Sequence, residues 1–312
     1  MIEVKNISKQ YGSKRGISNF SFTVNTGEIL GFLGPNGAGK TTTLNILSGY
    51  LQPDKGEVLI NGINLSENPL AAKKNLGYLP EIPPLYPELQ VKSFLNFVGE
   101  LKGIKKSERN SRIKHVMELV KIDDVQNRLI RNLSKGYKQR IGLAQAILAD
   151  PEIIILDEPT VGLDPKQITE IRSLIKKLGR MHTVILSSHI LGEIGIICDR
   201  IIIINKGGIK AVDTPGNLAK SIMEHESFLI KVKAPQEKFE ELVAGIKGII
   251  KIEMIPSNEK RTEEILEFKI DNEKGVDVRD PLFYLLAENN YVIYELKSID
   301  VNLEDVFLRF TS

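Results

Sequence analysis

A chain of 312 residues with a formal net charge of +2 and a single cysteine is long enough for one large or two medium domains, each burying its own core. Basic and acidic residues are interspersed, which excludes a global field for nucleic acid or an anionic membrane surface, so any bound anion must be held locally. Cys198 alone cannot form an internal disulfide, and "MIEVKNISKQYG" lacks a basic segment followed by an apolar core; a reducing cytoplasmic setting is expected.

In chain order, "IEVKNI", "NFSFTV", "EILGFL" and "EVLING" read as short strands separated by turn chemistry at Gly12, Asn25 to Gly27 and Pro53 to Gly56, a mostly antiparallel start. "NLGYLPEIPPLYPEL" follows, with Glu81 leaving a strand-like run among Pro80, Pro83 and Pro84; taken alone it is a solvated turn residue. From about Pro87 to Leu148, "VKSFLNFVGELKGI", "RNSRIKHVMELVKI" and "YKQRIGLAQAILA" space apolar residues at helical intervals. "EIIILDEP" is a continuous β-branched run of the kind buried on both faces of a parallel sheet. Asp164 and Pro165 then read as N-cap and first residue of the helix "PKQITEIRSLIKKLG". "TVILSSHILGEIGIICDRIIIIN" has the length of a membrane span but carries His189, Glu193, Asp199 and Arg200, so it reads as strand, helix, strand, followed by the hairpin "NKGGIKAVD". From Phe228 onward the order is βαβ-βαβ, that of a ferredoxin-like split unit, closed by an amphipathic "NLEDVFLRF". The expected domains are 1–217 and 226–312.

Two elements carry chemistry. "GPNGAGKT", comprising Gly34, Pro35, Asn36, Gly37, Ala38, Gly39, Lys40 and Thr41, fits G-x-x-x-x-G-K-[ST] between a strand and the helix opened by Thr42. Its glycines let consecutive N–H groups curl around phosphate oxygens at the positive end of a helix. Lys40 is placed to span the terminal phosphates, and Thr41 can ligate Mg²⁺. Asp157 ends a buried strand where the metal is expected, and Glu158 follows it, positioned to polarise a water for in-line attack.

"GPNGAGKT", "LSKGYKQR", "IIILDEPT", "VGLD" and "SSH" occur in the order and approximate spacing of the ATP-binding cassette ATPases, the nucleotide-binding subunits of ABC transporters, and this resemblance covers roughly residues 1 to 215. It implies an α/β fold: a P-loop ABC ATPase domain with a parallel-sheet core, an antiparallel β subdomain and a helical subdomain, ahead of the small ferredoxin-like domain. It further implies that Tyr11 stacks on adenine and that Ser134 and Gly136 contact the γ-phosphate bound by an opposite subunit. Asp164 resembles the subunit-contact loop, and His189 the histidine that holds the γ-phosphate and the attacking water. The family pattern L-S-G-G-Q is altered here by Lys135 and Tyr137. Ser134 is also a plausible N-cap for a helix through Gln139 to Leu148.

The resemblance implies ATP and Mg²⁺ as ligands and a head-to-tail dimer, homomeric or heteromeric, with two ATP molecules between the subunits. Separate integral membrane permease subunits would hold the chain peripherally on the cytoplasmic face. The tail resembles ATPases paired with exporter-type permeases. The competing reading is a soluble, non-transport ABC ATPase, which usually carries tandem cassettes, a coiled coil or zinc-binding cysteines, none of which is visible here. A third, a chiefly regulatory binding module, fits poorly with the set Lys40, Asp157, Glu158 and His189. "NKGG" lacks the aspartate of a guanine-reading NKxD, which disfavours GTP. In most cassettes glutamine stands where this chain has Glu81; the alignment makes Glu81 a candidate metal ligand beside Thr41 and Asp157, in a proline-stiffened hinge towards the permease.

Overall fold

The continuous apolar runs of the sequence assemble into a six-stranded sheet in the order Gly208–Asp213, Arg200–Asn205, Ile29–Leu33, Thr183–Ser188, Ile153–Leu156, Leu76–Leu79. All neighbours are parallel except the hairpin of Arg200–Asn205 with Gly208–Asp213. Ile153–Leu156 and Thr183–Ser188 are buried along their whole length, as strands with helices on both faces must be. The structure, a computed structural model, describes residues 1–12, 14–222, 225–255, 265–299 and 309–310.

A four-stranded antiparallel sheet, ordered Lys14–Val24, Ile2–Tyr11, Lys55–Ile60, Ile63–Asn64, faces the first across one core. Phe20, Phe22 and Val58 from this sheet pack with Leu30, Phe32, Ile155 and Ile202 from the other and with Leu44 and Leu47 of helix Lys40–Leu47. Phe22 and Phe32 meet edge to face, ring centres 5.3 Å apart. The helix after the P-loop is therefore clamped from both sides, which fixes the loop at its N-terminus. Helices Val91–Leu101, Lys106–Val120 and Lys135–Ile147 form the helical subdomain around Phe94, Leu95, Val116 and Ile141. The last begins at Lys135 with Ser134 as its N-cap, the role expected of that serine from the sequence. The region of span-like length is strand Thr183–Ser188, helix Leu191–Ile197 and strand Arg200–Asn205, and among the described residues no helix is long and apolar enough to cross a membrane.

Contacts divide the chain into two units, Met1–Leu218 with Phe307–Ser312, and Ala219–Val306. The expected second domain ran to residue 312; the final segment groups instead with the first unit, where the Asn205 amide donates to the Phe310 carbonyl at 3.5 Å. The expected closing amphipathic segment, apart from Arg309 and Phe310, lies outside the described residues. The second unit has an antiparallel sheet ordered Ile249–Met254, Ile265–Glu273, His225–Lys233, Val292–Ser298, with helices Gln236–Ala244 and Arg279–Glu288. Chain order is βαβ-βαβ. Phe239 stacks on Phe268 at 4.3 Å, inside a core that also holds Phe228, Ile230, Ile270 and Leu282.

Candidate functional site

The carboxyl ends of adjacent parallel strands converge on one crevice, the usual ligand position in an open α/β sheet. Strand Ile29–Leu33 delivers the phosphate loop, and Thr183–Ser188, beside it, delivers Ser187, Ser188 and His189. Ile153–Leu156 delivers Asp157 and Glu158, and the outermost Leu76–Leu79 leads to Glu81. Gly39 has φ +112°, a conformation closed to other residues, and a Cβ on Gly34 would lie 2.4 Å from the Ile204 carbonyl oxygen. The loop can thus turn inward only because glycine occupies both places.

The Lys40 ammonium is buried, donates to the carbonyls of Gly34 (2.8 Å) and Pro35 (3.4 Å), and lies 3.2 Å from Glu158 Oε1. Glu158 Oε2 is 2.9 Å from His189 Nδ1. Glu158 has φ +47°, a left-handed conformation costing about 1–3 kcal/mol for a non-glycine residue. Its amide donates to Ser187 Oγ at 2.9 Å, and that hydroxyl donates to Asp157 Oδ1 at 2.6 Å. Asp157 is fully buried and its Oδ2 has no hydrogen-bond partner among the described residues. Burial pushes its carboxyl pKa up; hydrogen bonds from Ser187 and Thr41 oppose the rise, and the charges of Glu158 and Glu81 add to it.

A cleft of about 520 Å³ gathers Tyr11, Asn36, Gly37, Gly39, Lys40, Thr41, Thr42, Glu81, Glu158 and His189, together with Gly16 and Val161. Gly34, Pro35 and Ala38 hold the loop from behind, with Ala38 N donating to the Pro35 carbonyl at 3.1 Å. Thr41 and Glu81 also border a second, neighbouring groove of about 610 Å³, where Asp157 lies, lined by Tyr50, Lys73, Tyr78, Ile82, Pro84 and Lys102 among others. Burial pushes the Tyr78 hydroxyl pKa up, and the phenol donates to Asn45 at 2.8 Å.

Ser134, Gly136 and Asp164 do not line the cleft. Ser134 and Asp164 are exposed apart from it, Ser134 accepting from Tyr137 N (3.4 Å) and Asp164 from Gln167 N (2.9 Å), while Gly136 is buried, where a Cβ would meet Gln167 Oε1 at 2.6 Å. Buried Arg140 donates to the Val120 carbonyl at 2.9 Å and pairs with Glu170, joining this helix to Pro165–Gly179. Tyr137, the departure from the usual glutamine, donates to Asp124 at 2.7 Å, and this bond raises its own pKa. Sequence reasoning missed Ser187. Its signal was a hydroxyl at the end of an apolar strand, which becomes informative once that strand lies between those carrying Lys40 and Asp157.

A family model described as ABC transporter matches residues 17–161. Across 100% of this chain and 96% of its own length, an uncharacterized ABC transporter ATP-binding protein, YhcH of Bacillus subtilis (strain 168), is 37% identical. The linearmycin resistance ATP-binding protein LnrL of the same organism is 34% identical over 100% of this chain and 98% of its own. The dimeric structure of a post-hydrolysis state of the ATP-binding cassette MJ0796 bound to ADP and Pi superposes with a TM-score of 0.63 at 26% identity, over 69% of this chain and 98% of that one. With the phosphate loop, the acid pair and the fold in agreement, the chain belongs to the ABC transporter ATP-binding protein family and is an ATPase.

Proposed function

We propose that this ATPase works as a head-to-tail pair around two ATP molecules and powers movement of a substrate, outward across the membrane, through separate permease subunits. The observation that carries this reading is the separation of the site into two surfaces. The cleft holds Lys40, Glu158, His189 and Glu81, whereas the exposed Ser134 and Asp164 lie outside it, available to a nucleotide held by another subunit, with Gly136 buried beside them against Gln167. Phosphate-loop amides and Lys40 bind the phosphates, and Tyr11 stacks on the base. Glu158 Oε2 accepts the proton of the attacking water, and His189, 2.9 Å away, orients that carboxylate and the γ-phosphate.

The residues fit a divalent cation, because the buried Asp157 carries an oxygen, Oδ2, with no partner in hydrogen-bond geometry among the described residues, beside the Thr41 hydroxyl. Thr41, Asp157 and Glu81 would hold Mg²⁺, which when bound neutralises phosphate charge. Exposed Tyr50 (81%) and Ile82 (83%) border the second groove beside Thr41 and Glu81; an apolar rim of this kind supports docking of the permease there, with the chain peripheral on the cytoplasmic face. Outward transport is supported by the exporter-like tail and by the resistance function in the name of one relative.

Glu158→Gln tests the pairing and the base together. This variant should accumulate as a dimer in saturating Mg-ATP and lose turnover roughly 100-fold or more. A variant that stays monomeric and turns over ATP at the parental rate would show that neither assignment holds.

A further inference from the structure

Strand Val292–Ser298 is one edge of the sheet in the second unit, and it leaves large apolar side chains uncovered: Val292 is 53% exposed, Tyr294 57% and Leu296 39%. An apolar edge of this length templates another strand unless it is masked. Its backbone polarity is set by the neighbour. Ile299 N donates to the Ser227 carbonyl at 2.8 Å, and Lys297 and Glu295 stand opposite Leu229 and Lys231. In an antiparallel ladder the bonding direction alternates, so residues 295, 297 and 299 face inward and the N–H and C=O of Leu296 and Ser298 point out.

We propose that this edge pairs with the same edge of a second copy, antiparallel and centred on Leu296, making the second unit a dimerisation module that operates without nucleotide. In that register Leu296 meets Leu296 of the second copy through its outward backbone groups; the regular ladder ends before Tyr294, where the register with the neighbouring strand shifts between Glu295 and Ile293. Glu295 then lies opposite Lys297 of the second copy, twice over by symmetry, at the closer non-hydrogen-bonded positions. Registers centred on Glu295 or Lys297 set like charges face to face and present the wrong backbone groups. Those centred on Tyr294 or Ser298 lose both charge pairs. Only one register satisfies charge and hydrogen bonding at once.

The opposite edge, Ile249–Met254, is the natural rival, but there only Ile250 is an exposed large apolar residue; Glu295 itself holds Lys231 of the neighbouring strand at 2.7 Å, so the charges of the proposed register extend a ladder already begun within the sheet. Holding two chains together by their second units keeps the cassettes at high effective concentration between rounds of ATP binding. The proposal is independent of the ATP-dependent pairing above. Loss of the nucleotide-free dimer leaves the trapping of Glu158→Gln by ATP untouched, and the converse also holds.

Sedimentation of the full chain without nucleotide should find a dimer. Lys297→Glu should weaken it roughly tenfold or more, since it turns two cross-strand attractions into repulsions, and the double exchange with Glu295→Lys, made in a Lys231→Glu background that keeps the 2.7 Å pair within each sheet, should restore it. Oxidised Leu296→Cys should cross-link to itself, because directly opposed hydrogen-bonded residues stand about 5.5 Å apart, within disulfide reach. Ile252→Cys on the rival edge should not. Cys198 does not interfere, being buried with its thiol pKa pushed up by burial. A monomer without nucleotide, a double exchange that fails to rescue, or cross-linking through residue 252 in place of 296 would overturn the proposal. A monomer whose Leu296→Cys thiol resists modifying reagents would assign the edge to the chain's own residues 300–308, and would equally overturn it.

Discussion

Replacing Ser187 by alanine removes one oxygen that serves two masters in the catalytic crevice. That oxygen accepts from Glu158 N at 2.9 Å and donates to Asp157 Oδ1 at 2.6 Å, and Ser187 and Asp157 are both fully buried, with Glu158 6% exposed. Each group left unpaired where water cannot reach it costs about 1–3 kcal/mol. Thr41 relieves part of the loss at Asp157, so the expected destabilisation is about 2–4 kcal/mol. The effect on chemistry is separate. Glu158 is held at φ +47°, a strained conformation that persists only while its surroundings enforce it. Without the hydroxyl its peptide relaxes, and under the base role proposed for Glu158 a displacement of about 1 Å lowers turnover roughly 100-fold. Urea unfolding of the nucleotide-free protein reads the first quantity and steady-state ATP turnover the second. A Ser187→Ala protein within about 0.5 kcal/mol of the parent and within twofold of its turnover would refute the reasoning.

Asp157→Asn should stabilise the metal-free protein at pH 7 while abolishing the extra stability conferred by Mg-ADP. Burial raises the folded-state pKa of Asp157; ionisation is therefore penalised above that pKa, and the penalty fades as pH falls towards the unfolded value. Melting curves at neutral and acid pH should show the advantage of asparagine shrinking on acidification, and a destabilised variant at pH 7 would contradict the account. Glu81→Gln should raise the Mg²⁺ concentration for half-maximal ATPase activity, because an amide offers the cation one neutral oxygen in place of a carboxylate; identical Mg²⁺ curves would remove Glu81 from the metal site. Gly77→Ala would place a Cβ 2.3 Å from the Ala146 carbonyl oxygen and 2.9 Å from Pro151 Cγ. Thermal unfolding should register a loss of about 1–3 kcal/mol, and an unchanged midpoint would mean that the strand and helix separate more easily than the packing implies.

The legible parts of this protein were those whose physics is local in the chain. Eight consecutive residues, Gly34 to Thr41, state their own backbone geometry, because glycine and a helix N-terminus are readable without neighbours. Asp164 capping Gln167 N was legible for the same reason. The βαβ-βαβ order of the second unit followed from hydrophobic period alone, two for its strands and three to four for its helices. Ser187 was illegible because its importance comes from sheet order: the strand carrying it lies between those of Lys40 and Asp157, although about 30 residues separate it from Asp157 in the chain.

Glu81 shows what the fold adds to a residue that the sequence leaves ambiguous. Beside Pro80 and Pro83 it is an exposed loop carboxylate, and its burial gives no hint of function. Its position does: it borders both the cleft with Lys40, Glu158 and His189 and the neighbouring groove with Tyr50 and Ile82. A movement of this loop changes both surfaces at once, whereas a movement of Tyr11 or of Lys73 changes only one. If the nucleotide lies in the first surface and a membrane partner on the second, Glu81 and its prolines form a loop that links them mechanically. The stiffness of the prolines then has a use, because a compliant loop would absorb the displacement that a stiff one transmits.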